Sequence, residues 1–252
     1  MADKSQAPIN SLAAYLIALL GIGLAAFIVL GSLANFGAVS DVPEFYAGGW
    51  MIAHGNAGQV YNLPVIFDVE KHLFPSLGAR GIGLFVPPPG VLLLTPLALL
   101  PAGLMAALWT FLLTAALAVS LWLIICHLAL SRHQSLWLIG IVFLSGPAVE
   151  ALRLGQLAPL MLLAVTGAMI VADRRPYLAG VLLDILIVKP QQLFPLLLFF
   201  LASCRRQLVV ASILVLVLLL ALAGLVFGKA GLTLYVVTVA DPQNLQLMQP
   251  EL

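Results

Sequence analysis

Charge is the scarcest thing in this chain. Only 8% of its 252 residues are Asp, Glu, Lys or Arg, 63% are hydrophobic, and mean hydropathy is +1.14. No soluble domain of that length could cover so much apolar side chain, so the composition reads as an all-α polytopic membrane protein. With only two cysteines, Cys126 and Cys204, a disulfide framework is excluded, and both read as buried thiols. The four histidines (His54, His72, His127, His133) lack the paired spacing that a haem or metal needs. Nor is there a glycine-rich dinucleotide fingerprint, a phosphate loop or a Cys/His cluster. We therefore expect no metal, no cofactor, no nucleotide-sugar site and no nucleic-acid partner.

What is abundant is the apolar run. Runs near the ~20 residues of a helical span alternate with short polar breaks, the pattern of helices rather than of barrel strands. The first, Leu12 to Ala34, is too long for a signal-peptide core and reads as an uncleaved anchor. The densest Lys/Arg fall in Ser131-Arg132-His133-Gln134, Asp173-Arg174-Arg175 and Cys204-Arg205-Arg206. The positive-inside rule puts these breaks, and Lys4, on the cytoplasmic side.

That parity fixes a thread of about seven membrane-crossing segments in one transmembrane domain, 1–252. Residues 35–86 become a long first extracytoplasmic loop, leaning acidic with Asp41, Glu44, Asp68 and Glu70. Gly90–Leu100 is too short to span and reads as re-entrant, with Ala102–Leu130 as the true crossing. Two hairpins follow, Ser135–Ala151 with Leu157–Ala172, and Pro176–Val188 with Leu193–Ser203. A limb of ~12 residues rises only about 18 Å against a hydrocarbon core of about 30 Å. Leu208–Phe227 crosses last, leaving 229–252 as an extracytoplasmic tail.

Two short helices are expected in the outer loop. One starts at Asp41-Val42-Pro43-Glu44, an acid at the cap with proline in the first turn, and carries Phe45, Tyr46 and Trp50. The other starts at Asn62-Leu63-Pro64, with Ile66, Val69 and Leu73 on one stripe. Aromatic, amphipathic helices beside a span prefer the membrane interface.

Within this apolar chain two cations stand where a bilayer should not hold them: Arg153 in Arg153-Leu154-Gly155-Gln156, and Lys189 in Lys189-Pro190-Gln191-Gln192. A charge at the bilayer centre costs roughly 2.5–3.5 kcal/mol on insertion scales, so it lines a cavity, finds a partner or does chemistry. The residues alone leave open whether Arg153 pairs with Glu150 at i,i+3 and whether Lys189 snorkels to the interface. Likewise Asp41 could simply cap the next helix. Asp184, inside an apolar run, needs a partner the sequence does not name.

The order of these pieces resembles glycosyltransferase family 87. The matching parts run from Asp41-Val42-Pro43-Glu44-Phe45-Tyr46 through Gly55 to Tyr61 and Pro87-Pro88-Pro89. They continue through Pro96-Leu97, Leu100-Pro101, Gly155-Gln156 and Ala179-Gly180 to Lys189-Pro190. Phe85 and Val86 stand where that family has a tyrosine beside its proline pair. Family members generally run on for several more helices, so the expectation is a truncated or shortened form.

The resemblance implies a membrane enzyme of the C-type glycosyltransferase fold. It would move a sugar, mannose for preference, from a polyprenyl-phosphate donor to a hydroxyl of a glycan or glycolipid acceptor, with inversion, at the outer face of the cell (inner) membrane. Asp41 takes the place of the family's general base, with Glu44 as rival. Glu44, Tyr46 and Gln156 would hold the acceptor or sugar. Lys189, Arg153 and Gln191 would face the donor phosphate, whose charge grows as the glycosidic bond breaks. A different class of function fits the same residues: a non-catalytic lipid-binding or transporter-like subunit with a polar outer-leaflet cavity.

Overall fold

The computed structural model describes residues 7–34, 40–75, 81–241 and Asn244, and every regular element among them is helical. Expectations placed on Lys4 and on the tail from residue 245 onward lie outside the described residues. Helix α1 (Ala7–Ala34) is apolar on nearly every side, and Leu19, Leu20 and Phe27 are each about two-thirds exposed or more. Such a surface has no place in water and suits lipid. Helix α2 (Val42–Ala53) begins directly after Asp41, with Pro43 in its first turn, where the missing amide would have had no intrahelical partner. A 3-10 turn at Ala57–Gln59 leads to α3 (Leu63–Leu73), which starts after Asn62 and buries Ile66 and Glu70.

Proline punctuates the next stretch. Helix α4 (Pro88–Leu94) and the 3-10 turn Thr95–Leu99 lie between Pro87 and Pro101, and α5 (Ala102–His127) follows. Ser131 and Gln134 then form a reciprocal capping box that starts α6 (Arg132–Leu144). The limb expected over Ser135–Ala151 is broken: α7 (Gly146–Leu154) leaves α6 at a 56° bend. Ser145 is the reason. Its hydroxyl accepts from the Ala148 amide and Pro147 supplies a first turn, so Ser-Gly-Pro opens a new helix.

Helices α8 (Ala158–Val171), α9 (Pro176–Leu183, continued as a 3-10 turn over Asp184–Val188), α10 (Pro190–Ala202) and α11 (Arg206–Ala240) complete the chain. Among the described residues three helices are long and apolar enough to cross a membrane, Leu12–Gly31 of α1, α5 and α11, and the bent α6–α7 pair makes a fourth if it is one broken span. The shorter apolar helices are α4 with its 3-10 extension, α8, α9 with its extension, and α10.

Packing departs from two self-contained hairpins. Helix α6 lies along α1, α8 along α5, and α9 along α11, with α8 also against α9. Small residues decide these partners, as they do between membrane helices. A Cβ on Gly140 would fall 2.4 Å from Ile17 of α1, and one on Gly180 would fall 2.4 Å from the Leu208 carbonyl of α11. The stretch expected as a tail differs too. Gly228 (φ 62°, ψ −177°) breaks α11, yet the helix resumes and runs to Ala240. That second half packs back onto the segment between α2 and α3, where Gly231 meets Gly58 and Thr238 donates to the Tyr61 carbonyl at 2.9 Å. The cysteines also differ: Cys126 and Cys204 are unpaired and exposed, since each falls at the open end of a helix.

Candidate functional site

The segment that begins α2 is held to the bundle by a short relay of hydrogen bonds that ends at Asp41. Trp109 of α5, 1% exposed, donates its indole N–H to the Gly155 carbonyl at 2.8 Å. Gly155 terminates α7 in a left-handed turn (φ 68°, ψ 30°), and the carbonyl of Leu154 just before it accepts from the Asp41 amide at 2.9 Å. The turn thus fixes where α2 begins. Asp41 occupies the N-cap position, but its carboxylate makes no capping bond; the nearby Ser40 Oγ accepts from the Val42 amide instead. Capping is therefore not what Asp41 does, and its carboxylate is available elsewhere.

It faces a cavity of about 380 Å³, within the size range of small-ligand sites. The polar groups on its wall are Asp41, Glu44, Lys189 and Gln191, and three aromatic rings, Phe45, Phe85 and Tyr235, join them. Four of the seven residues singled out from sequence thus share one cavity, although they come from α2 and from the start of α10. The other three do not line it. Tyr46 is buried and donates its hydroxyl to the Leu100 carbonyl at 2.6 Å. Gln156 sits in the turn after α7, part-buried, its amide bonded to the Ala151 carbonyl. Arg153 forms a two-pronged ion pair with Glu150 at 2.5 and 2.9 Å, each side chain about half exposed.

Electrostatics in the cavity are set by two carboxylates one helical turn apart. Burial raises the Asp41 pKa, the nearby Lys189 ammonium opposes that, and Glu150 adds a smaller rise. Glu44 is pushed well above the ordinary glutamate value, first by burial and then by the like charges of Asp41 and Glu70, again against Lys189. Two crowded carboxylates do not both ionise readily, which favours one as proton acceptor. Lys189 itself makes no ion pair within 4 Å among the described residues. It stands directly before α10, whose N-terminal partial charge is also positive.

The stretch Phe85-Val86-Pro87, which also lines the cavity, is braced from behind. Tyr61, 1% exposed, donates to the Val86 carbonyl at 2.7 Å. Glu70, fully buried, accepts from the Ile82 amide at 2.8 Å. Burial pushes the Glu70 carboxyl up to about 7, against the pull of the Ile82 and Gly83 amides and of Lys71. Away from the cavity, Asp184 finds its partner in Ser212 of α11, whose hydroxyl donates at 2.5 Å.

Residues 85–251, two thirds of the chain, match glycosyltransferase family 87. The chain belongs to that family. It is accordingly a glycosyltransferase, an enzyme that takes a sugar from a donor and gives it to an acceptor, and its apolar helices make it a membrane protein. The matched stretch carries Lys189, Gln191 and Tyr235, whereas Asp41 and Glu44 precede it. No curated protein and no solved structure matches the chain.

Sequence reasoning did not single out Tyr235, Val239 or Glu70. Tyr235 and Val239 lie past Gly228, in a stretch read as tail. The signal was faint but present: Thr233, Tyr235 and Thr238 interrupt an otherwise apolar run. Glu70 shares the helical face of Ile66 and Leu73 on α3, opposite Asp68, so the 3.6-residue period carried a signal for its burial that its charge masked.

Proposed function

We propose that this family member transfers a hexose, mannose for preference, from a polyprenyl-phosphate donor to a hydroxyl of a glycan or glycolipid acceptor, inverting the anomeric carbon. The observation that carries the reading is the joint presence of Asp41, Glu44 and an ion-pair-free Lys189 in one cavity between the outer loop and the bundle. In the reaction the Asp41 carboxylate takes the proton of the acceptor hydroxyl. The freed oxygen pair forms the new bond to the anomeric carbon, and the carbon–oxygen bond to phosphate breaks with its electrons passing to the phosphate. Lys189, with the N-terminus of α10 behind it and Gln191 beside it, meets that growing charge. A raised carboxylate pKa suits a base that must capture a hydroxyl proton. Glu44 holds an acceptor or sugar hydroxyl, and Tyr46 and Gln156 support the walls on either side. Arg153 joins the phosphate only by exchanging Glu150 for it, an exchange that two half-exposed side chains allow.

The reading places the cavity on the extracytoplasmic side of the cell membrane. Helices α2 and α3 then lie at the interface, about seven segments enter or cross the bilayer, and the arginine-bearing breaks face the cytoplasm. The test is sugar transfer from radiolabelled polyprenyl-phosphate mannose in membranes containing the protein, with the product's anomeric configuration determined. Inverted product, and a donor KM raised severalfold in Lys189→Gln, support the reading. Retained configuration, or an unchanged donor KM in that variant, contradicts it.

A further inference from the structure

The second half of α11 enters the site for no reason that membrane crossing supplies. Gly228 ends the regular span with a backbone conformation that residues with side chains rarely adopt, and the helix that resumes is steered rather than free. Gly231 lets it approach Gly58 so closely that a Cβ would sit 3.2 Å from the Gly58 Cα. Thr238 ties it to the Tyr61 carbonyl, and the Tyr61 ring packs 4.9 Å from that of Tyr235. Those contacts fix one face of the helix, and on that face Tyr235 and Val239, one turn apart, are turned into the cavity.

Among the described residues the Tyr235 hydroxyl makes no hydrogen bond, unlike those of Tyr46 and Tyr61. The cavity therefore offers a half-buried phenol with a free donor and acceptor, on a wall shared with Phe85, Asp41, Glu44 and Gln191. Rings that meet C–H faces, set among carboxylates and an amide that take hydroxyls, form a chemistry suited to a pyranose. These groups fit an isoprenoid tail less well, and a phosphate falls to Lys189 on the same wall.

We propose that Tyr235 is a substrate-contacting residue that seats a pyranose ring, by stacking and through its hydroxyl. The proposal deepens the functional reading above and rests on it. The ring could belong to the donor sugar or to a sugar acceptor, and the experiment separates the two.

Binding constants of the purified protein are measured for decaprenyl-phosphate mannose, for bare decaprenyl phosphate and for octyl α-mannoside. Wild type is set beside Tyr235→Phe and Tyr235→Ala. For a donor contact, Tyr235→Ala weakens decaprenyl-phosphate mannose roughly three- to tenfold and leaves bare decaprenyl phosphate unchanged. For an acceptor contact the same loss appears with octyl α-mannoside instead. Tyr235→Phe, which keeps the ring, falls between. Equal weakening of all three probes would mark a merely structural residue, and no change in any would remove Tyr235 from the site; either overturns the proposal. Should wild type itself bind none of the three, the functional reading falls and takes this proposal with it.

Discussion

Replacing Gly155 by alanine should damage the site far beyond the size of one methyl group. Its φ of 68° lies in the left-handed region, which costs a residue with a side chain roughly 1–2 kcal/mol. The added Cβ would also stand 2.6 Å from Val42 Cγ2, 3.3 Å from the Trp109 indole nitrogen and 3.4 Å from Ser40 Oγ. Overpacking of that kind adds about 1–3 kcal/mol, for a total of about 2–5 kcal/mol. Val42 must retreat by about an ångström to restore ordinary contact, and Val42 is the neighbour of Asp41. A displacement of that order at a reacting group can cost about a hundredfold in rate. We therefore expect Gly155→Ala to lower Tm by several degrees and kcat by roughly ten- to a hundredfold, with donor KM little changed because Lys189 belongs to another element.

Two companions separate the causes. Gly155→Asn tolerates the left-handed turn but keeps the clash, so it should regain stability and not rate. Gly103→Ala adds its Cβ to open space on α5 and should stay within about 0.5 kcal/mol of wild type. Thermal unfolding in detergent and steady-state transfer are the two assays. A Gly155→Ala protein with wild-type kcat would refute the claim that this turn places Asp41.

Two other outcomes follow from the buried wall behind the cavity. Tyr61→Phe removes the O–H that reaches the buried Val86 carbonyl and should cost about 1–3 kcal/mol, read as a drop in Tm. Glu70 makes stability pH-dependent. Its folded pKa of about 7 lies above the ordinary 4.5, so the folded state holds the proton more tightly. Its contribution is complete below pH ~4.5 and is lost as pH rises through ~7, amounting to about 3 kcal/mol at about 1.4 kcal/mol per unit. Burial raises Asp41 and Glu44 in the same direction. Unfolding midpoints taken from pH 4.5 to 8 should fall for wild type and flatten in Glu70→Gln; parallel curves would contradict the assignment.

Much of the site could be read from types and neighbours in the chain. Asp41 before Pro43, and Lys189 before Pro190, are helix-start signals with a charge at the break, and a charge at a break in an apolar chain seeks a cavity. What stayed hidden depended on contacts distant in sequence. Arg153 offered the same signal as Lys189, but Glu150 one turn earlier neutralises it, and only the rotamers show the pair closed. Tyr46 looked like a site residue because the family resemblance runs from Asp41 through it, yet helical rotation carries it away from the cavity toward Leu100. The role of Tyr235 hinges on one residue, Gly228, whose conformation turns a continuing apolar run into a span and a separate wall. Helix partners were equally hidden, because hydropathy gives lengths and not which small-residue faces meet.

The most direct test is sugar transfer by Asp41→Asn beside wild type, together with binding of decaprenyl-phosphate mannose by each. Asparagine keeps the shape of the side chain and removes its basicity. The account predicts transfer reduced by at least a hundredfold, with donor binding within a fewfold of wild type. Transfer at wild-type rate in Asp41→Asn would contradict it.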